Sequence, residues 1–195
     1  MKLINVKLYL LSYIAVAAIV LTSCISQSNP SQSVADIDRV NPSVTVVTLD
    51  KSFNVVMGQT IYVPIYSYIY HDDRKQTYNL TATLSIRNTD LTEPIVVTSV
   101  RYNDSSGKLV RQYLERSTQL AALASTSFVI DSTDTSGGIG ASFIVEWVAR
   151  TEVASPIVEA ILIGSAFQQG ISWISPGKVI KSQNHRSPKT SSSGF

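Results

Sequence analysis

The chain has 195 residues, 44% apolar and 15% charged, with 16 Lys and Arg against 14 Asp and Glu for a formal charge of +2. That near-neutral balance carries no nucleic-acid footprint, and the single cysteine, Cys24, excludes any intramolecular disulfide. The fold must therefore be held by packing alone.

Lys2 and Lys7 precede the mostly apolar run Leu8 to Leu21, which closes on Thr22, Ser23 and Cys24. A charged start, a run of this length and small residues before a cysteine are the layout of a cleaved secretory signal, since a spanning helix needs about 20 apolar residues. Leu21-Thr22-Ser23-Cys24 resembles the bacterial lipobox. The resemblance implies cleavage between Ser23 and Cys24, a diacylglyceryl group on the Cys24 thiol, and attachment to a membrane through that lipid. Ile25 stands where an inner-membrane retention signal would place aspartate, so the periplasmic face of the outer membrane is expected if the organism has two membranes. Loss of Lys2 and Lys7 leaves 14 basic and 14 acidic side chains.

Residues 24–43, rich in Ser, Gln, Asn and Pro, read as a lipidated cysteine followed by a flexible linker spanning about 25 Å. Residues 44–180 turn β-branched and aromatic and suffice for one domain with its own core. Residues 181–195, basic and Ser-rich, read as a disordered tail, with a second reading as a contact for anionic phosphate groups.

Ile61-Tyr-Val-Pro-Ile-Tyr-Ser-Tyr-Ile-Tyr70 predicts one strand with an aliphatic face and a phenolic face of Tyr62, Tyr66, Tyr68 and Tyr70. Pro64 lacks a ladder donor and so predicts a sheet edge or a bulge. At an edge the four rings would suit docking of an envelope protein or a glycan; the plainer reading makes them half-buried cross-strand partners. His71, Asp72, Asp73 and Arg74 follow on one loop. Without a second histidine in the domain, a free cysteine or a nucleophile elbow, a mutually neutralising polar loop is favoured over a hydrolytic site built on His71 and an acid.

Leu80-Thr-Ala-Thr-Leu-Ser-Ile-Arg87 alternates strictly and gives the clearest strand, with Asn88-Thr89-Asp90 as turn chemistry behind it. Ile95 to Tyr102 and Lys108 to Glu115 read as a hairpin about Asn103–Gly107, and a helix turn is weighed at Leu114 to Leu123. Asp131, Asp134 and the glycines through Gly140 form an oxygen-rich loop. It is a weak calcium candidate, but lacks the bidentate glutamate of an EF-hand and reads better as a turn. Further strands are predicted at Ser127–Ile130, Phe143–Ala149, Ile157–Gly164 and Ile171–Ser175, with Trp147 on the core face of its strand. The sum is an all-β, immunoglobulin-like sandwich.

Gly58–Tyr66 running on to Tyr70-His71, Asn79–Asp90, and Asp134–Gly138 with Phe143–Trp147 resemble domain of unknown function 3124, a family of bacterial envelope proteins. The resemblance implies no catalytic or binding residue. The expectation is a non-enzymatic, lipid-anchored interaction module without cofactor or metal, with a small-ligand or glycan binder as the alternative.

Overall fold

The computed structural model describes residues 43–184 apart from 51, 72–74 and 167–168. Cys24, Ser23, Asp72, Asp73, Arg74 and the expected linker as far as residue 42 lie outside the described residues. In chain order the strands are β1 (Val44–Val46), β2 (Met57–Pro64), β3 (Tyr68–His71), β4 (Gln76–Asn79), β5 (Thr81–Arg87), β6 (Ile95–Asn103) and β7 (Leu109–Gln112). After them come β8 (Thr118–Leu120), β9 (Ser125–Ile130), β10 (Ser142–Ala149), β11 (Ile157–Ala166), β12 (Gln169–Pro176) and β13 (Lys178–Asn184).

A seven-stranded antiparallel sheet runs β1-β8-β6-β10-β2-β13, with β7 continuing the β6 edge beyond β8; a four-stranded sheet runs β12-β11-β5-β9. The inward residues of both sheets form one core, so the fold is the expected all-β, immunoglobulin-like sandwich. Period-two alternation decides which face is inside. Ala82, Leu84 and Ile86 of β5 meet Phe143, Val145 and Trp147 of β10 in that core, and Trp147 is 1% exposed. Tyr102, Phe143, Tyr113 and Phe128 continue it as a chain of rings with centroids 5.9, 5.9 and 5.5 Å apart.

Three expectations are corrected. The Ile61–Tyr70 stretch is two strands: Pro64 ends β2 because it has no N–H to extend the ladder, and β3 pairs with β4 in a separate hairpin. Nor is β2 an edge, since it pairs with β10 on one side and with β13 on the other. The segment that covers it reaches Asn184, so residues 181–184 belong to a strand and not to a tail. No helix forms at Leu114 to Leu123, because Thr118 and Leu120 alternate inward on β8, squeezed between β1 and β6.

Three bulges shape the large sheet, one of which makes Val110 the extra residue of β7 opposite Tyr102 and Asn103. Thr98 is the extra residue of β6 opposite Glu146 and Trp147, and its hydroxyl donates to the Glu146 carbonyl at 3.2 Å. Ile180 is the extra residue of β13. Just before it, Gly177 carries the chain from one sheet to the other, where a Cβ would lie 2.6 Å from both Ile61 Cγ2 and the Val158 carbonyl. Only glycine fits that crossing.

Both ends of the described chain lie at one end of the sandwich. Val44 pairs with Leu120 and Leu120 with Ile95, while Ala149 on the neighbouring strand pairs with Met57 and Met57 with Asn184. Buried Asn88 organises the loops there. Its amide nitrogen donates to the carbonyls of Glu93, Ala121 and Leu120 at 2.8, 2.9 and 3.3 Å, and its oxygen accepts the Asp90 N–H at 3.0 Å. Amide donors from Thr92, Ala154 and Glu93 hold the Asp90 carboxyl down to about 2.

In the adjoining turn, Leu123 has φ +59° and is 65% exposed. A left-handed conformation costs an L-residue about 1–2 kcal/mol, least for asparagine. Leu123→Asn is expected to stabilise the domain by about 0.5–1 kcal/mol in urea unfolding, and an unchanged midpoint would show that the turn stores no strain.

Candidate functional site

The opposite end of the sandwich gathers the loops that the sequence marks for chemistry. Residues 131–141 cross it between β9 and β10, stitched to the 103–108 turn by Ser105. The Ser105 N–H and hydroxyl both donate to the Gly137 carbonyl at 2.9 Å, and the same hydroxyl accepts the Gly140 N–H at 2.9 Å. Gly138 has φ +73°, and a Cβ on Gly137 would collide with the Tyr102 hydroxyl, so the glycines are a steric need of the turn.

Within it, Asp131 Oδ1 accepts the N–H and hydroxyl of Thr133, each at 2.8 Å, and these bonds lower its carboxyl below the usual range. Asp134 Oδ1 accepts the N–H and hydroxyl of Ser136, and its Oδ2 lies 3.6 Å from Arg111. Both carboxylates are thus engaged locally. Among the described residues no group of three His, Cys, Asp or Glu side chains is placed to hold a metal.

Ser67, 2% exposed, joins this loop to the rest. Its N–H donates to the Gly138 carbonyl at 2.9 Å, its carbonyl accepts the Leu80 N–H at 3.0 Å, and its hydroxyl meets the Tyr102 hydroxyl at 2.8 Å. The three sequence blocks Gly58–His71, Asn79–Asp90 and Asp134–Trp147 therefore converge on one residue. Sequence reasoning passed over it, because a serine between two tyrosines carries no signal of burial.

The four tyrosines are dispersed. Tyr62, half-buried, lies on the outer face of the large sheet between Lys178 and Ile144. Tyr66, 36% exposed, leaves β2 and sets its ring edge-on against Trp173 of β12, centroids 6.1 Å apart at 64°. Tyr68 and Tyr70 share a face of β3 with centroids 6.0 Å apart at 76°, and Tyr70 is 48% exposed. Two aromatic pairs thus replace the single phenolic face, and Trp173, which the sequence reading did not single out, joins one of them. Tyr78 anchors the hairpin that carries the second pair, donating from its hydroxyl to the Gln169 carbonyl at 2.7 Å. His71 closes that hairpin opposite Gln76, and the rest of the acidic loop lies outside the described residues.

On the outer face of the large sheet, the bulge at Thr98 and the strand β13 frame a shallow polar cleft of about 160 Å³. Thr60, Thr98, Glu146, Lys181 and Gln183 line it, and Glu146 accepts a hydrogen bond from Arg101 at 2.8 Å. The cleft is invisible in the sequence, since Lys181 and Gln183 on one wall have the composition of a solvated tail.

Residues 58–180 match the model of a family described as protein of unknown function, DUF3124. The chain belongs to that family. The matched span begins inside β2 and ends at the β13 bulge, so it takes in the Ser67 junction, both aromatic pairs and the Gly177 crossing. No curated protein and no solved structure matches the chain.

Proposed function

We propose that the protein is a lipid-anchored envelope protein whose sandwich acts as a non-enzymatic interaction module at the membrane surface. The observation that carries this reading is the run Leu8–Leu21 closing on Leu21-Thr-Ser-Cys24. In a two-membrane organism the anchor is on the periplasmic face of the outer membrane. The aromatic pairs Tyr66/Trp173 and Tyr68/Tyr70 are the contact surface. Tyrosine and tryptophan supply large, rigid, amphipathic area at low entropic cost, and a Tyr66 ring already braced on Trp173 loses little freedom on binding.

The same pairs favour a second reading, glycan binding, because aromatic rings take the apolar faces of sugars. Pull-down of the tagged chain from detergent-solubilised membranes, with mass spectrometry of its amino terminus, tests the proposal. Wild type is expected to carry a diacylglyceryl Cys24 and to retain a partner that is lost with Tyr66→Ala and Tyr70→Ala. Cys24→Ala should leave the membrane fraction. An unmodified terminus overturns the anchor, and a glycan as the retained species selects the second reading.

A further inference from the structure

Two leucines stand out where the chain comes into the domain. Leu91 is 77% exposed and Leu123 65%, the two most exposed large apolar side chains among the described residues. They sit on different loops held together by hydrogen bonds: the Leu123 N–H donates to the Asp90 carbonyl at 3.2 Å, and the Asn88 side chain donates to the Ala121 carbonyl at 2.9 Å. Ser43, the first described residue, accepts the Ala121 N–H at 2.9 Å. The point of attachment to the upstream chain and both leucines therefore belong to one small patch. Leu123 moreover keeps a left-handed backbone and a water-exposed apolar side chain, a position that asparagine or glycine would fill at lower cost.

We propose that Leu91 and Leu123 are the tips by which this end of the sandwich docks into the interface of a lipid bilayer. The inference rests on the reading that Cys24 carries lipid. What covers the leucines follows from the chain ahead of Ser43: residues 25–42 join it to Cys24, a stretch that reaches at most about 65 Å at full extension. A bilayer holding Cys24 is thus always within reach of this patch. Tethering turns a weak contact into an intramolecular one at an effective concentration of roughly millimolar, so two leucines suffice where a free domain would need a larger apolar face. The nearby carboxylates stay charged but are tied to the loops they sit on, so the docking is carried by the leucines and not by charge. Asp90 Oδ1 and Oδ2 accept the amides of Thr92, Glu93 and Ala154, and Glu93 accepts the Thr151 hydroxyl at 3.2 Å. With this end against the bilayer, the aromatic pairs and the Ser67 junction at the other end face outward to a partner.

The full lipidated chain, reconstituted in phosphatidylethanolamine–phosphatidylglycerol vesicles, tests the orientation. Thioether formation blocks Cys24, so Leu91→Cys, Leu123→Cys and the opposite-end control Lys108→Cys each offer one thiol for an environment-sensitive fluorophore. Leu91 and Leu123 side chains are exposed, so thermal melts of the labelled variants should match wild type. The labels at 91 and 123 are expected to shift to the blue and to be quenched roughly twofold by lipid-borne doxyl groups, as befits residues about 5–10 Å into the interface. The label at 108 should do neither. Water-like emission at 91 and 123 in protein whose lipid is verified by mass spectrometry overturns the docking alone. An unlipidated Cys24 overturns the anchor and the docking together. A blue shift without vesicles that grows with protein concentration overturns it in favour of a second copy.

Discussion

Asn88→Ala is expected to remove about 3 kcal/mol of stability, a large part of the 5–15 kcal/mol that holds a domain of this size. Asn88 is 2% exposed, and its side chain answers three carbonyls and one N–H on loops from both sheets. Alanine cannot replace any of them, and each buried group left unpaired costs about 1–3 kcal/mol, partly recovered where water can reach it. Urea unfolding followed by tryptophan fluorescence measures the loss; a shift worth less than about 1 kcal/mol would mean that the loops hold without this side chain. The same substitution should loosen the patch that carries Leu91 and Leu123, since the Ala121 carbonyl is one of the bonds released. Proteolysis is expected first between Asn88 and Glu93.

Much of the fold was legible because alternation reports directly on a half-buried sheet. Thr81–Arg87 and the stretch from Phe143 to Ala149 each bury every second residue, and Trp147 falls on the inward face that its spacing assigns. Asn88-Thr89-Asp90 read as turn chemistry, and the Asn88 and Asp90 side chains each accept the N–H two residues on, although nothing in those three letters disclosed that the asparagine is buried and bonds to Leu120 and Ala121 across the loop. Local pattern gave out where a residue's partner is far along the chain. Ser67 looks like any polar residue between tyrosines until Gly138 and Leu80 are placed beside it. The tyrosine stretch reads as continuous because period two survives across Ile65 to Ser67, whereas Pro64 interrupts the ladder that makes a strand. For the candidate site, the grouping of the rings was not legible: Tyr66 meets Trp173, from β12, more than a hundred residues away in sequence.

The least legible element, β13, carries the other large effect. Lys178, Lys181, Ser182, Gln183 and Asn184 have the composition of a solvated terminus, yet Lys178 to Asn184 pair with Tyr62 to Met57, and the side chains from Lys178 to Gln183 are exposed. An edge strand needs little apolar character when its work is to close the ladder of its neighbour. A chain ending at Asn184 is therefore expected to unfold as wild type, while one ending at Ile180 loses the pairs to Thr60, Gln59, Gly58 and Met57 and drops by several kcal/mol of the 5–15 available. One ending at Gly177 exposes the whole β2 edge, with Ile61 and Val63 buried just behind it, and should aggregate during folding. Thermal melts and size-exclusion profiles of the three chains decide the matter. Equal melting of the chains ending at 180 and 184 would return residues 181–184 to the tail and leave β2 protected by Lys178 and Val179 alone.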